Sequence, residues 1–335
     1  MEERLSAPAG ELLAHVRGRV ATLILNRPSA LNALSFGMLE GLDAWLDRWE
    51  GDPVIDTVVL QGAGGKAFCA GGDIRALHAN FHANPQGLQR FFEVEYALDY
   101  RIHKYPKPIA AVIDGVVMGG GMGLAQGARL RIVGDRTNMA MPETAIGLFP
   151  DVGGSYFLSR TPGRLGEYLG LVGPTIGASD AIYCGLADVN VSAQPFAEPA
   201  LEKLRPAIDR HFAHPDIPSI VDSLEAEADP QWREWAQQSG AALARRSPTM
   251  LAVTLEQVRR GRGLSLAECL RMELNLMLAA FEQGDCIEGI RALMVEKDNN
   301  PRWKPARTSD VGRAAVDAFF APRWAPAQHP LAFLQ

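Results

Sequence analysis

Residues 15 to 26, HVRGRVATLILN, alternate polar and apolar positions and then turn wholly apolar, the pattern of strands pairing beside a core. RPSALNAL interrupts them. SFGMLEGLDAWLDRWEGD then carries apolar residues at helical spacing, with Ser35 placed to cap the helix. DTVVLQG predicts a short buried strand that ends in the glycine-rich loop GAGGKAFCAGGDI. Residues 75–106 read as helix around a proline break, and KPIAAVIDGVVMGGG as a further strand closed by three glycines. MGLAQGARLRIVGD follows as a short helix leading into another strand. After about residue 158 the strand signals fade. Residues 195–300 are mainly helical, with PQWREWAQQSGAALARR and LAECLRMELNLMLAAFEQG as amphipathic runs, before a tail rich in Pro and Trp. The pattern predicts an α/β or α+β layered core over residues 1–195 and a mainly helical region over 196–335.

Composition narrows what such a chain can do. Its 335 residues suffice for one large domain or two smaller ones, and 47% hydrophobic with 21% charged residues are globular values. A net charge of -6 leaves no basic excess to neutralise phosphates, so a nucleic-acid partner is not expected. The longest apolar run, IAAVIDGVVMGGGMGLA, is broken by Asp114 and by glycines, so no membrane span is expected either. The first twenty residues carry three Glu and lack both a signal-peptide core and an Arg-rich transit pattern, which predicts a cytoplasmic protein. Cys69, Cys184, Cys269 and Cys286 show no CxxC spacing and are expected to be buried free thiols. The seven histidines form no HExxH cluster, so no metal site is expected.

Against this background MPETAIGLFPDVGG stands out. Glu143 and Asp151 each follow a proline, and no Lys or Arg occurs between Arg136 and Arg160. Both Pro-acid pairs suit ordinary helix starts, where an acid complements the helix dipole. Two carboxyls held in an apolar pocket also acquire different proton affinities, which suits acid and base work. The local residues leave both readings open. The loops CAGGDI and MGGGMG each place glycines where a helix begins, so their N–H groups can point at a ligand and together make an oxyanion hole, or form two tight turns. Gly121, Gly123 and Gly127 spell GxGxxxG, but the helix there is too short for a dinucleotide-binding crossover. Gly154-Ser155 lacks the last glycine of a nucleophile elbow.

Taken in order, LNRPSALNAL (25–34), KAFCAGGDIRAL (66–77), KPIAAVIDGVVMGGGMGLAQG (107–127) and MPETAIGLFPDVGG (141–154) resemble the crotonase, or enoyl-CoA hydratase/isomerase, superfamily. DCIEGIRALMVEKDNNPRWKP (285–305) is similar to its C-terminal signature. The resemblance implies a spiral of ββα turns with a helical C-terminal part, and acyl-CoA thioesters as substrates. It implies no resident cofactor, because CoA enters as part of the substrate, and a homo-oligomer with trimer-type contacts. Gly72 and Gly120 match the positions whose N–H groups bind the thioester oxygen, and Glu143 matches a catalytic glutamate. A hydratase of this family carries a second glutamate three residues after the central glycine, where this chain has Gly123, and has glycine where this chain has Asp151.

With FFEVEYAL and NPRWKP, that difference resembles the 3-hydroxyisobutyryl-CoA hydrolase subgroup, in which the matching Glu95, Gly120, Glu143 and Asp151 line the substrate site. The resemblance implies hydrolysis of a short 3-hydroxyacyl-CoA, 3-hydroxyisobutyryl-CoA above all, in valine catabolism. FFEVEYALDY also reads as a plain amphipathic helix with solvated Glu93 and Glu95. Two other activities fit the same motifs: a double-bond isomerase or hydratase of the superfamily, and a CoA-binding subunit without catalysis.

Overall fold

Two strands open the chain, Leu12–Arg17 (β1) and Val20–Leu25 (β2), paired as an antiparallel hairpin. Ala21, Leu23 and Leu25 alternate inward along β2, as its sequence pattern predicts. The computed structural model describes residues 10–75, 84–193 and 197–335. The proposed boundary between residues 195 and 196 therefore lies outside the described residues, as do the first nine residues and the part of the first long helical reading that covers 76–83. Helix α1 (Phe36–Glu50) begins as expected at Ser35, whose side chain accepts from the Met38 N–H. Its Met38, Leu42, Trp45, Leu46 and Trp49 are buried against the hairpin and the helix that follows.

The chain then repeats one unit three times. Strand β3 (Thr57–Gly62), strand β4 (Ala67–Cys69) and helix α2 (Pro85–Lys104) make the first turn. Strands β5 (Ile109–Ile113) and β6 (Val116–Met118) with helix α3 (Gly120–Gly127) make the second. Strands β7 (Leu130–Val133) and β8 (Asn138–Ala140), with a 3-10 turn over Glu143–Ile146, make the third. Each turn adds one strand to each of two sheets. With a last short strand, β9 (Val189–Asn190), the larger has the order β1-β2-β3-β5-β7-β9 and is parallel from β2 onward, while β4-β6-β8 form a smaller parallel sheet.

The single strand expected over 107–121 is thus two strands, divided at Asp114-Gly115, where Gly115 has φ +84°. The loop expected over 62–74 contains β4. Both differences arise because the chain changes sheets at a glycine corner between two short apolar stretches, each too short for periodicity to register.

Among the described residues ten α-helices and the short strand β9 follow: α4 (Gly154–Leu158), α5 (Leu165–Val172), α6 (Ala178–Tyr183), β9 (Val189–Asn190), α7 (Ala200–His211), α8 (Ile217–Glu225), α9 (Pro230–Leu243), α10 (Pro248–Gly261), α11 (Leu266–Gln283), α12 (Asp285–Ile290) and α13 (Arg313–Phe319). Helix α11 starts at a capping box made by Ser265 and Glu268 and packs on α2, α4 and α12. Its Leu270, Leu274 and Met277 are buried, each contributing roughly 1.5–3 kcal/mol relative to exposure. One apolar cluster runs from Leu12 to Leu334, so the helical part shares its core with the spiral. All four cysteines are buried and free, as expected. Among the described residues no helix is long and apolar enough to cross a membrane.

Candidate active site

The two glycine loops meet. Leu34 pairs with Gly72 in a parallel bridge, its N–H donating to the Gly71 carbonyl at 2.8 Å and its carbonyl accepting from Asp73 at 3.0 Å. In such a bridge the intervening residue turns its own N–H to the opposite side. Gly120 is the first residue of α3, so its N–H has no intrahelical acceptor. A Cβ built on Gly120 would lie 3.3 Å from the Gly72 nitrogen and 2.3 Å from Glu95 Oε1, so a side chain there would crowd the Gly72 backbone and displace the Glu95 carboxyl. Gly72 and Gly120 border one cavity of about 380 Å³, and Glu95, Glu143 and Asp151 border it too. Every candidate site residue named from the sequence is thereby brought to one place.

Glu143 opens the 3-10 turn directly after Pro142, so the helix-start reading holds for it and so does burial at a cavity. Its Oε2 has no hydrogen-bond partner among the described residues. Burial, and after it the neighbouring Asp151, push its carboxyl well above the usual range. Asp151 starts no helix; it lies ahead of a turn through Val152 and Gly153 that leads into α4. Its Oδ2 accepts from the Tyr96 hydroxyl at 2.8 Å. Burial raises its carboxyl to about 6, against the opposing effect of the Tyr96 bond.

Glu95 is buried, while Glu93 accepts from Gln89 at 2.7 Å on the partly exposed face, so the solvated reading applies to Glu93 alone. Glu95 Oε1 has no partner among the described residues, and burial, then Asp151, raise its carboxyl well above the usual range. The cavity's described lining contains no Lys, Arg or His. It can hold a neutral or proton-bearing group against carboxyls that resist ionisation, and present two N–H donors to an oxygen.

Three acidic or phenolic groups at the site escape a motif-based reading. Tyr96 holds Asp151. Asp99, one turn beyond Glu95 on α2, is buried with neither carboxylate oxygen partnered among the described residues. It reaches the space that a side chain at position 123 would need, since a Cβ on Gly123 would lie 2.6 Å from Asp99 Oδ2 and 2.7 Å from Val152 Cβ. Glu273 of α11 is buried and accepts from the backbone around Asp151. A signal for these was present: Phe91, Phe92, Glu95, Tyr96, Asp99 and Ile102 all lie in the buried stripe of α2, as does Glu273 in that of α11. The C-terminal signature supplies part of the cavity's wall through Leu293 and Met294, in a single π-helical turn over Arg291–Val295.

A family model described as enoyl-CoA hydratase/isomerase matches residues 20–198 and 190–320. The mitochondrial 3-hydroxyisobutyryl-CoA hydrolase of Xenopus tropicalis is 37% identical over 345 residues, which take in 93% of this chain and 89% of that protein. The 3-hydroxyisobutyryl-CoA hydrolase 1 of Arabidopsis thaliana is 36% identical over 350 residues, covering 94% of this chain and 92% of that one. A crystal structure from Rhodobacter sphaeroides 2.4.1, described as an enoyl-CoA hydratase, superposes with a TM-score of 0.88 at 40% identity, over 94% of this chain and 98% of its own.

Proposed function

Because the chain belongs to the enoyl-CoA hydratase/isomerase family, we propose that it is an acyl-CoA thioester hydrolase that converts 3-hydroxyisobutyryl-CoA to 3-hydroxyisobutyrate and CoA, a step of valine catabolism. The relatives named for that hydrolysis span nearly the whole chain. The observation that carries the reading is the convergence of Glu143, Asp151 and the N–H groups of Gly72 and Gly120 on one cavity.

In this reading the thioester oxygen lies against the two N–H groups, which stabilise its charge as the carbonyl carbon turns tetrahedral. The Glu143 carboxylate attacks that carbon, the carbon–sulfur bond breaks, and CoA leaves as the thiolate, which takes up a proton. Water then splits the resulting anhydride and restores Glu143. Asp151, fixed through one oxygen by Tyr96, meets the substrate's 3-hydroxyl with the other. The alternative within the same site is that Glu143 activates water directly. Repeated turnover in ¹⁸O-water separates the two, since only the anhydride route leaves label in the Glu143 carboxylate.

The hydratase description of the Rhodobacter structure motivates a second reading, addition of water to an enoyl-CoA. The crowding of position 123 by Asp99 and Val152 weighs against it, because the second acid of a hydratase has no room there. Thiol release from 3-hydroxyisobutyryl-CoA, measured beside loss of the crotonyl-CoA double bond, decides between them. Rapid thiol release with negligible hydration is expected, and fast hydration without thiol release overturns the hydrolase reading.

A further inference from the structure

The turn that carries Asp151 is strained and held from outside the spiral. Val152, a β-branched residue, has φ +52°, and Gly153 follows at +86°. A non-glycine residue in that region costs roughly 1–3 kcal/mol and persists only where its surroundings over-determine it. The surroundings here are the side chain of Glu273, contributed by α11 more than a hundred positions later. Its Oε2 accepts from the Gly153 N–H at 2.7 Å, and its Oε1 accepts from the Ser155 N–H at 2.9 Å and from the Ser155 hydroxyl. Gln257 of α10 secures the other flank by donating to the Pro150 carbonyl. Glu273 is fully buried, and an apolar residue would satisfy the rest of the α11 stripe equally well.

We propose that Glu273 is a positioning residue, by which the C-terminal helix sets the orientation of Asp151 toward the substrate. The inference rests on the reading of Asp151 as the group that meets the 3-hydroxyl. The chemistry of the clamp is demanding, because two of its three donors are backbone N–H groups that cannot reverse their role. A glutamine at 273 must turn its NH₂ toward one of them, whichever way its amide is flipped. One backbone donor is then left facing another donor, and the strained turn loses part of what holds it. Burial pushes the Glu273 carboxyl up to about 8 against those three donors, which favour its charged form.

The test is a double-variant cycle with Glu273→Gln and Asp151→Asn, scored by thiol release from 3-hydroxyisobutyryl-CoA and from isobutyryl-CoA, which lacks the hydroxyl. Glu273→Gln is expected to lower kcat/KM on the hydroxylated substrate by roughly 10- to 100-fold, the scale of a small misplacement. The double variant should be no slower than Asp151→Asn alone, because the clamp acts only through Asp151. Losses that multiply, or a Glu273→Gln enzyme as fast as the parent, overturn the proposal. A purely structural role would lower the amount of folded enzyme and leave the losses multiplicative. If Glu273→Gln does not fold, Ser155→Ala removes one of the three bonds and should show the same coupling at smaller amplitude; its absence overturns the proposal equally. Failure of the Asp151 reading looks different, since Asp151→Asn would then slow both substrates alike, and the coupling between positions 151 and 273 would still decide the positioning role.

Discussion

Glu143 and Glu167 are both buried glutamates of the same fold, and their surroundings are opposite. Glu167, on α5, is 0% exposed and meets Arg164 at 2.9 Å and Arg262 at 2.7 Å, with Arg259 at 4.0 Å. Glu143 shares its cavity with Asp151 and Glu95, and no cation lines it among the described residues. Burying a carboxylate is costly, and a structural acid offsets that cost with paired charge. A chain that gathers several acids with no cation instead accepts raised proton affinities, and these suit acid, base or nucleophile chemistry. Burial alone therefore does not mark a site; burial among like charges does.

The largest effect expected on this contrast comes from the acid without a partner. Glu143→Gln keeps the shape and removes the nucleophile or base, so thiol release should fall by at least about 10³-fold. Binding of the thioester, measured by calorimetry on the inactive variant, should change little, because the two N–H donors and the apolar walls are untouched. A Glu143→Gln enzyme that turns over like its parent would remove Glu143 from the chemistry.

A smaller effect is expected at Asp151, and it carries a pH signature. Asp151→Asn should fall between the parent and Glu143→Gln in kcat/KM, with its loss concentrated on substrates that bear the 3-hydroxyl. Because the folded carboxyl is raised to about 6 from an ordinary value near 4, the native state binds more protons than the unfolded chain between those values. Stability contributed by this group is therefore lost as pH rises through that window, on the order of 3 kcal/mol in all. Urea midpoints taken from pH 4 to 7 should show that decline in the parent and a flatter profile in Asp151→Asn. Identical profiles would mean that Asp151 ionises as an ordinary carboxylate.

Much of this contrast was legible in the chain. The absence of Lys and Arg from 137–159 foreshadowed the uncompensated acids, whereas Arg259 and Arg262, which meet Glu167, lie more than ninety positions from it along the chain. The ordered motifs carried the family and therefore the spiral, which local periodicity could not reach: β4 and β6 are three residues each, too short to show a period. Glu95 was ambiguous, since a helix pattern places a residue on a face without telling whether the partner across that face is solvent or a second acid. Asp99 and Glu273 were missed for a related reason. Their roles depend on contacts made across the chain, at Gly123 and at the 153–155 turn, and no single segment contains both halves of either contact.

The smallest effect on activity belongs to the paired acid, and it completes the contrast. Glu167→Gln leaves Arg164, Arg259 and Arg262 converging on a group that no longer carries charge. Removing one partner of a buried pair costs 3–5 kcal/mol, but these arginines are a quarter to two-fifths exposed and retain water, so a loss of about 1–3 kcal/mol is expected. That loss should appear as a lower urea midpoint at pH 7 with an unchanged denaturant slope. Turnover per folded molecule should stay within about two-fold of the parent, because Glu167 lies outside the cavity lining and none of its arginines reaches it. The two glutamates would then separate cleanly, one variant folded and inactive, the other active and less stable. A Glu167→Gln enzyme that kept its stability and lost turnover would place the arginine cluster in the reaction and dissolve the distinction between paired and unpaired acids.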